Sequence, residues 1–150
     1  ITSDCLYYVY NIPYELDSPG EYYWDTKTNF LYYWPTEGFE TAGISFSQFA
    51  GVPFTLDGCS YISFENLSAV SFRNRFINGD GDHISVNECH LSGIDGSTAM
   101  AVRGDYNTVK GCLIHDLAAA GIIMTTGDTA TQTMGKTVVS DNIIYDFSIF

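Results

Sequence analysis

Four nine-residue stretches of this chain, "FENLSAVSF" (64–72), "VNECHLSGI" (86–94), "VKGCLIHDL" (109–117) and "VSDNIIYDF" (139–147), share one pattern. Offsets 0, 3, 5 and 8 hold apolar or small residues, Asn142 excepted, and most polar residues fall between them. The stretches begin 22, 23 and 30 residues apart. A period near 22 built from short alternating segments suits a β-solenoid, whereas ankyrin or TPR periods are longer and helical. Side chains on a strand alternate between faces and stacked strands lie about 4.8 Å apart, so equivalent residues sit above one another. The expected inward columns are Phe64/Val86/Val109/Val139, Leu67/Cys89/Cys112/Asn142, Ala69/Leu91/Ile114/Ile144 and Phe72/Ile94/Leu117/Phe147. Outward residues vary freely, which explains how "GDHISVNEC" (81–89) returns as "GDYNTVKGC" (104–112) with only its Gly, Asp, Val and Cys retained. Gly81, Gly104, Gly121 and Gly135 are placed to supply turns that need positive φ. The longer final interval is assigned to an extra loop at "TTGDTATQTM", 125–134.

The first forty residues carry no such repeat. "EYYWD" and "LYYWP" flank "TKTN" and follow Pro19-Gly20, the pattern of an aromatic β-hairpin. The chain thus reads as all-β: an N-terminal hairpin cap over 1–40 that covers one end of the solenoid, then parallel β-helix coils over 41–150. The hairpin aromatics Tyr22, Trp24, Tyr33 and Trp34 either pack structurally or form a sugar-stacking platform.

Composition narrows the partners. With 45% apolar and 16% charged residues, a 150-residue chain is globular and has room for one sizeable core. The net charge of −12 opposes nucleic acid and anionic membranes, both of which need a basic footprint. It also disfavours polyanionic glycans unless a cation such as calcium intervenes, so a neutral glycan is the easier ligand. No apolar run approaches the roughly 20 residues that cross a bilayer, and no signal segment opens the chain. Its start at "ITSDC" and its stop at "DFSIF" within an apolar pattern read as a processed product or a piece of something longer. Cys5, Cys59, Cys89 and Cys112 show no CxxC pair and no paired histidines, so zinc has little support. "NLS" makes Asn66 a glycosylation acceptor, in keeping with secretion.

The segments "NIPYELDSPGEYYWDTKTNFLYYWP", "LDGCSYISFENL", "GCLIHDLAAAGIIMTTGD" and "SDNIIYDF" resemble secreted right-handed parallel β-helix repeat proteins of the pectin-lyase-like superfamily. The likeness runs from about Asn11 to Phe147. It implies a right-handed helix, an extracellular location and a carbohydrate partner, because many such proteins are polysaccharide hydrolases or lyases. The same scaffold hosts unrelated chemistries. "NGDGDH" (78–83) is similar to the acidic stretches of the pectin-cleaving members but lacks their adjacent aspartates, and neither Gly-His-Gly nor Arg-x-Lys occurs.

Register puts Asp82 and Asp105 at equivalent points of successive coils. Two carboxylates near one strand spacing apart suit a retaining glycosidase pair or shared ligation of calcium, and equally two solvated turn aspartates. Asp80 and Arg103 occupy the preceding stacked position, as a surface ion pair. His115 and Asp116 stack against Tyr145 and Asp146, an outward cluster able to orient a sugar hydroxyl or to act as general acid and base. Cys89 and Cys112 are inward neighbours within disulfide reach, either bridged or stacked as free thiols. Two functions follow. One is part of a carbohydrate-active extracellular protein with a groove along one sheet. The other is a non-catalytic module that binds glycans or stacks head to tail through its open ends.

Overall fold

The computed structural model describes residues 10–41, 47–96 and 98–148, so Cys5 lies outside the described residues. The chain divides into two units, Ile1–Ser45 and Phe46–Phe150.

The first unit carries the hairpin, β1 (Tyr22–Asp25) and β2 (Phe30–Tyr33), paired antiparallel with Tyr22 opposite Tyr33 and Trp24 opposite Leu31. Its turn is held by Asp25, whose carboxylate accepts from the Lys27 amide at 2.9 Å and the Thr28 hydroxyl at 2.7 Å. Asn11 grips the outer edge of β1, accepting from the Trp24 amide at 2.7 Å and donating to its carbonyl at 3.1 Å.

The second unit is a parallel β-solenoid of about three turns. Its strands come in threes: β3 (Phe54–Ser60), β4 (Ser63–Glu65) and β5 (Ser68–Phe72), then β6 (Ile77–Asp82), β7 (Ser85–Asn87) and β8 (His90–Ile94). The next coils supply β9 (Met100–Arg103), β10 (Thr108–Lys110) and β11 (Leu113–Leu117), then β12 (Ile122–Thr125), β13 (Val138–Ser140) and β14 (Ile143–Phe147). Like strands stack into three four-stranded sheets: β3-β6-β9-β12, β4-β7-β10-β13 and β5-β8-β11-β14. The registers Phe64↔Val86↔Val109↔Val139, Ala69↔Leu91↔Ile114↔Ile144 and Phe72↔Ile94↔Leu117↔Phe147 are those the repeat predicts. Along these columns Val86, Leu91, Ile94, Val109, Ile114 and Leu117 are fully buried. Phe54, Phe64, Phe72 and Phe76 pack edge to face over the first coil, with centroids 4.8–6.3 Å apart. In the last coil Val139, Ile144 and Phe147 are exposed.

Two expectations need correction. Leu67 is exposed, so its column is buried only at Cys89 and Cys112. Of the four glycines assigned to positive-φ turns, only Gly104 has one, at 133°. Most corners are turned instead by non-glycine residues in the left-handed region. These form two corner files, Tyr61/His83/Tyr106/Lys136 and Asn66/Glu88/Gly111/Asp141, and a third, Ser71/Gly93/Asp116/Asp146, lies inside β5, β8, β11 and β14, where the register skips it. Each non-glycine member costs about 1–2 kcal/mol, a strain that sequence propensity alone would not have assigned to rings and charges. Glycine is required where coils touch. A Cβ on Gly79 would fall on the Leu56 carbonyl oxygen, and one on Gly104 on that of Gly81.

Two asparagines, one buried and one half-buried, clamp successive coils. Asn107 Oδ1 accepts from the Ile84 amide at 2.8 Å while its Nδ2 donates to the Gly81 carbonyl at 3.0 Å. Asn142 repeats the motif on the Cys112 amide (2.8 Å) and the Val109 carbonyl (3.0 Å). In both cases the carbonyl belongs to the third residue before the amide, so one side chain satisfies two inward-facing backbone groups of the preceding coil. Cys89 and Cys112 are free thiols, not a bridge. Each thiol's single S–H is instead shared between two main-chain carbonyls, those of Phe64 and Asn87 for Cys89 and those of Val86 and Lys110 for Cys112. The 125–134 segment is the expected loop, closed by reciprocal Asp128–Thr133 main-chain bonds of 3.0 Å.

Candidate functional site

The outer face of the β3-β6-β9-β12 sheet carries a shallow polar depression of about 250 Å³. Gly58, Gly104 and the side chains of Ser60, Asp80, Asp82 and Arg103 line it, and Cys59 stands in register with the buried Gly81. Gly58 is the extra residue of a β-bulge between Asp57 and Cys59. Arg103 Nη1 meets Asp80 Oδ1 at 3.4 Å with both side chains largely in solvent, a pair worth under about 1 kcal/mol.

Asp82 and Asp105 do fall on neighbouring coils, and both carboxylates are engaged. Asp82 Oδ1 accepts from the Asp105 amide at 2.7 Å. Asp105 Oδ1 accepts from the Gly127 amide at 2.7 Å and the Thr126 hydroxyl at 3.1 Å. Each aspartate therefore ties its coil to the next. Calcium takes six to eight oxygens, and among the described residues no group of three or more His, Cys, Asp or Glu gathers to hold a metal ion.

Immediately after Ser60, Asp82 and Asp105 in the chain comes a file of rings that the sequence reading missed. Tyr61 and His83 stack at 4.4 Å and 9°, His83 and Tyr106 at 4.8 Å and 10°, and the Lys136 ammonium lies 5.3 Å from the Tyr106 centroid. The signal was present as "YIS" (61–63), "HIS" (83–85) and "YNT" (106–108), a ring two places before each short strand. These are the left-handed corner positions, so the rings project outward in line, with Tyr61 79% and Tyr106 46% exposed.

A second cluster lies on the outer face of the β5-β8-β11-β14 sheet. His115 stands in register with Tyr145, and their rings stack at 4.8 Å and 8°. His115 Nδ1 is 2.7 Å from Asp116 Oδ2, as the sequence grouped them. The structure adds His90, whose Nε2 is 2.8 Å from His115 Nε2. Register pairs His90 with Leu113 and Ser92 with His115, so the two imidazoles meet on the diagonal, within reach of long side chains.

In the hairpin, Tyr22, Trp24 and Tyr33 share one face and remain exposed. Trp34, bonded through its amide to the Glu21 carbonyl at 2.9 Å, continues the ladder by one residue and falls on the opposite face with Tyr32 and Phe30. The proposed four-ring platform is thus split three to one. Asn66 sits exposed at a left-handed corner between β4 and β5. Burial, ahead of the neighbouring Cys89 thiol, pushes the Cys112 thiol up from its ordinary value. Hydrogen bonds hold two loop carboxylates below theirs: for Asp25 the Thr28 hydroxyl, then the Lys27 amide, and for Asp128 the Ala130 amide, then the Thr131 hydroxyl. Among the described residues no helix is long and apolar enough to cross a membrane.

Comparison of the chain with protein-family models, with curated proteins and with solved structures finds no match.

Proposed function

We propose that this chain is a glycan-binding β-solenoid segment of an extracellular carbohydrate-processing protein of the pectin-lyase-like kind, and that the segment itself is not catalytic. The observation that carries the reading is the Tyr61–His83–Tyr106 file that follows, residue for residue, the Ser60 and Asp82 side chains of the shallow depression lined also by Asp80 and Arg103. The depression opens on the outer face of the sheet, and its acids and guanidinium bond sugar hydroxyls. Phenol and imidazole edges repeat at strand spacing along the axis, a spacing of about 4.8 Å. The acidic balance favours a neutral or weakly charged glycan. Catalysis by Asp82 and Asp105 is the weaker reading, because amides of the following coils already occupy a carboxylate oxygen of each.

Titration against a panel of soluble neutral and acidic polysaccharides tests this. A neutral glycan binds, and Tyr61→Ala or Tyr106→Ala weakens it at least tenfold while far-UV circular dichroism is unchanged. Binding to no member of the panel, or equal affinity in both variants, refutes the reading. Turnover of any glycan that Asp82→Asn abolishes restores the catalytic one. A second reading, head-to-tail stacking with another copy, is favoured by the exposed Val139, Ile144 and Phe147 of the last coil. A concentration-independent monomer mass in light scattering excludes it.

A further inference from the structure

We infer that His90 and His115 form a surface site for a divalent transition metal such as nickel or copper, distinct from the proposed glycan groove and independent of it. Three observations converge. First, the two Nε2 atoms are 2.8 Å apart while the ring centroids are 5.0 Å apart and the planes differ by 26°. The imidazoles therefore meet by their nitrogen edges, not by their faces. Two cis ligands at right angles, each about 2.0 Å from a metal as imidazole nitrogen is from zinc, are separated by about 2.8 Å. Tetragonal geometry with nitrogen ligands is the preference of Cu(II) and Ni(II). Second, His115 Nδ1 is bonded to the Asp116 carboxylate at 2.7 Å. Metal-binding histidines almost always carry such a partner on the other nitrogen, which fixes the tautomer and raises ligand basicity. Third, the Tyr145 ring stacked on His115 at 4.8 Å holds that imidazole in place.

The proton accounting is simple. With Nδ1–H given to Asp116, His115 presents the Nε2 lone pair, and His90 donates its own Nε2–H to it. Metal takes the place of that shared proton, which moves to His90 Nδ1, and the His90 ring turns, His115 staying held by Asp116 and Tyr145, so that both Nε2 lone pairs converge on the ion. Asp116 is a positioning residue here, and the remaining coordination positions go to water or an outside ligand.

The chain's only three histidines are His83, His90 and His115, which makes the test sharp. Nickel chloride is titrated into the whole chain by calorimetry and by imidazole C–H NMR. One nickel binds per chain, with paramagnetic broadening of the His90 and His115 signals and sparing of His83. His90→Gln and His115→Gln each weaken binding at least tenfold, and Asp116→Asn weakens it about 10–100-fold, all with native circular dichroism. The inference is overturned by absence of heat and broadening at excess nickel, by affinity unchanged in the His90 and His115 variants, or by an equal loss in His83→Gln.

Discussion

Replacing Asn107 by alanine removes one side chain and strands two backbone groups. Asn107 is 1% exposed, as is Ile84, whose amide it satisfies, and the Gly81 carbonyl it also serves belongs to a buried residue. A buried donor or acceptor left without a partner costs about 1–3 kcal/mol, so the two together should cost about 2–6 kcal/mol. Asn142 makes the same pair of bonds from a half-buried position. Water can replace its amide, and Asn142→Ala should cost only about 1 kcal/mol, the net worth of an ordinary hydrogen bond. Urea unfolding followed by far-UV circular dichroism gives both values, and hydrogen exchange at the Ile84 amide reads the Asn107 clamp directly. Asn107→Asp keeps the acceptor for Ile84 but sets a carboxylate against the Gly81 carbonyl. That variant should regain stability on acidification, when a protonated carboxyl can donate. The reasoning is refuted if Asn107→Ala costs less than about 0.5 kcal/mol, the range of ordinary surface changes, or less than Asn142→Ala.

Gly104→Ala should destabilise by more than about 3 kcal/mol, because a φ of 133° is closed to alanine and the added carbon strikes the Gly81 carbonyl; a melting temperature within a degree or two of the parent chain contradicts this. The Asp25 and Asp128 carboxyls lie below the ordinary 3.8 in the folded chain, so their turns gain stability that is full above that value and is lost as pH falls through the lowered one. Hydrogen exchange at Lys27 and Ala130 should accelerate in that acidic window relative to amides within the solenoid sheets. Cys112 has a raised thiol value through burial, so mass spectrometry of iodoacetamide-treated native protein should show Cys59 alkylated before Cys112. The same shift lets the unfolded chain ionise first, so it costs stability as pH rises above the ordinary thiol range.

The repeat made the three register columns legible because a period-2 pattern recurring every coil has one consistent stacking. Turn chemistry was not legible at the corners: rings and charged residues such as Tyr61, His83, Glu88 and Lys136 adopt left-handed φ there, against local preference. The stacking of the coils overrides that preference. Asn107 was missed because it stands in a file otherwise filled by Ile62, Ile84 and Thr137, where alignment reads a loop asparagine. The His115, Asp116 and Tyr145 grouping could be read from vertical register. His90 could not, since a columnar alignment compares only residues directly above one another and the bond to His115 runs diagonally.

Within these 150 residues β12, β13 and β14 are edge strands with Val139, Ile144 and Phe147 exposed beside them, and such a rim accepts further β-structure, be it following residues of a longer chain or a second copy. The common excess of twelve negative charges opposes the approach of such a second copy. That repulsion reaches about 30 Å at 0.01 M ionic strength but only about 8 Å under physiological conditions. Colloidal behaviour should accordingly turn on electrolyte: well dispersed at low ionic strength, and drawn together at the rim as added salt shortens the reach of the charge.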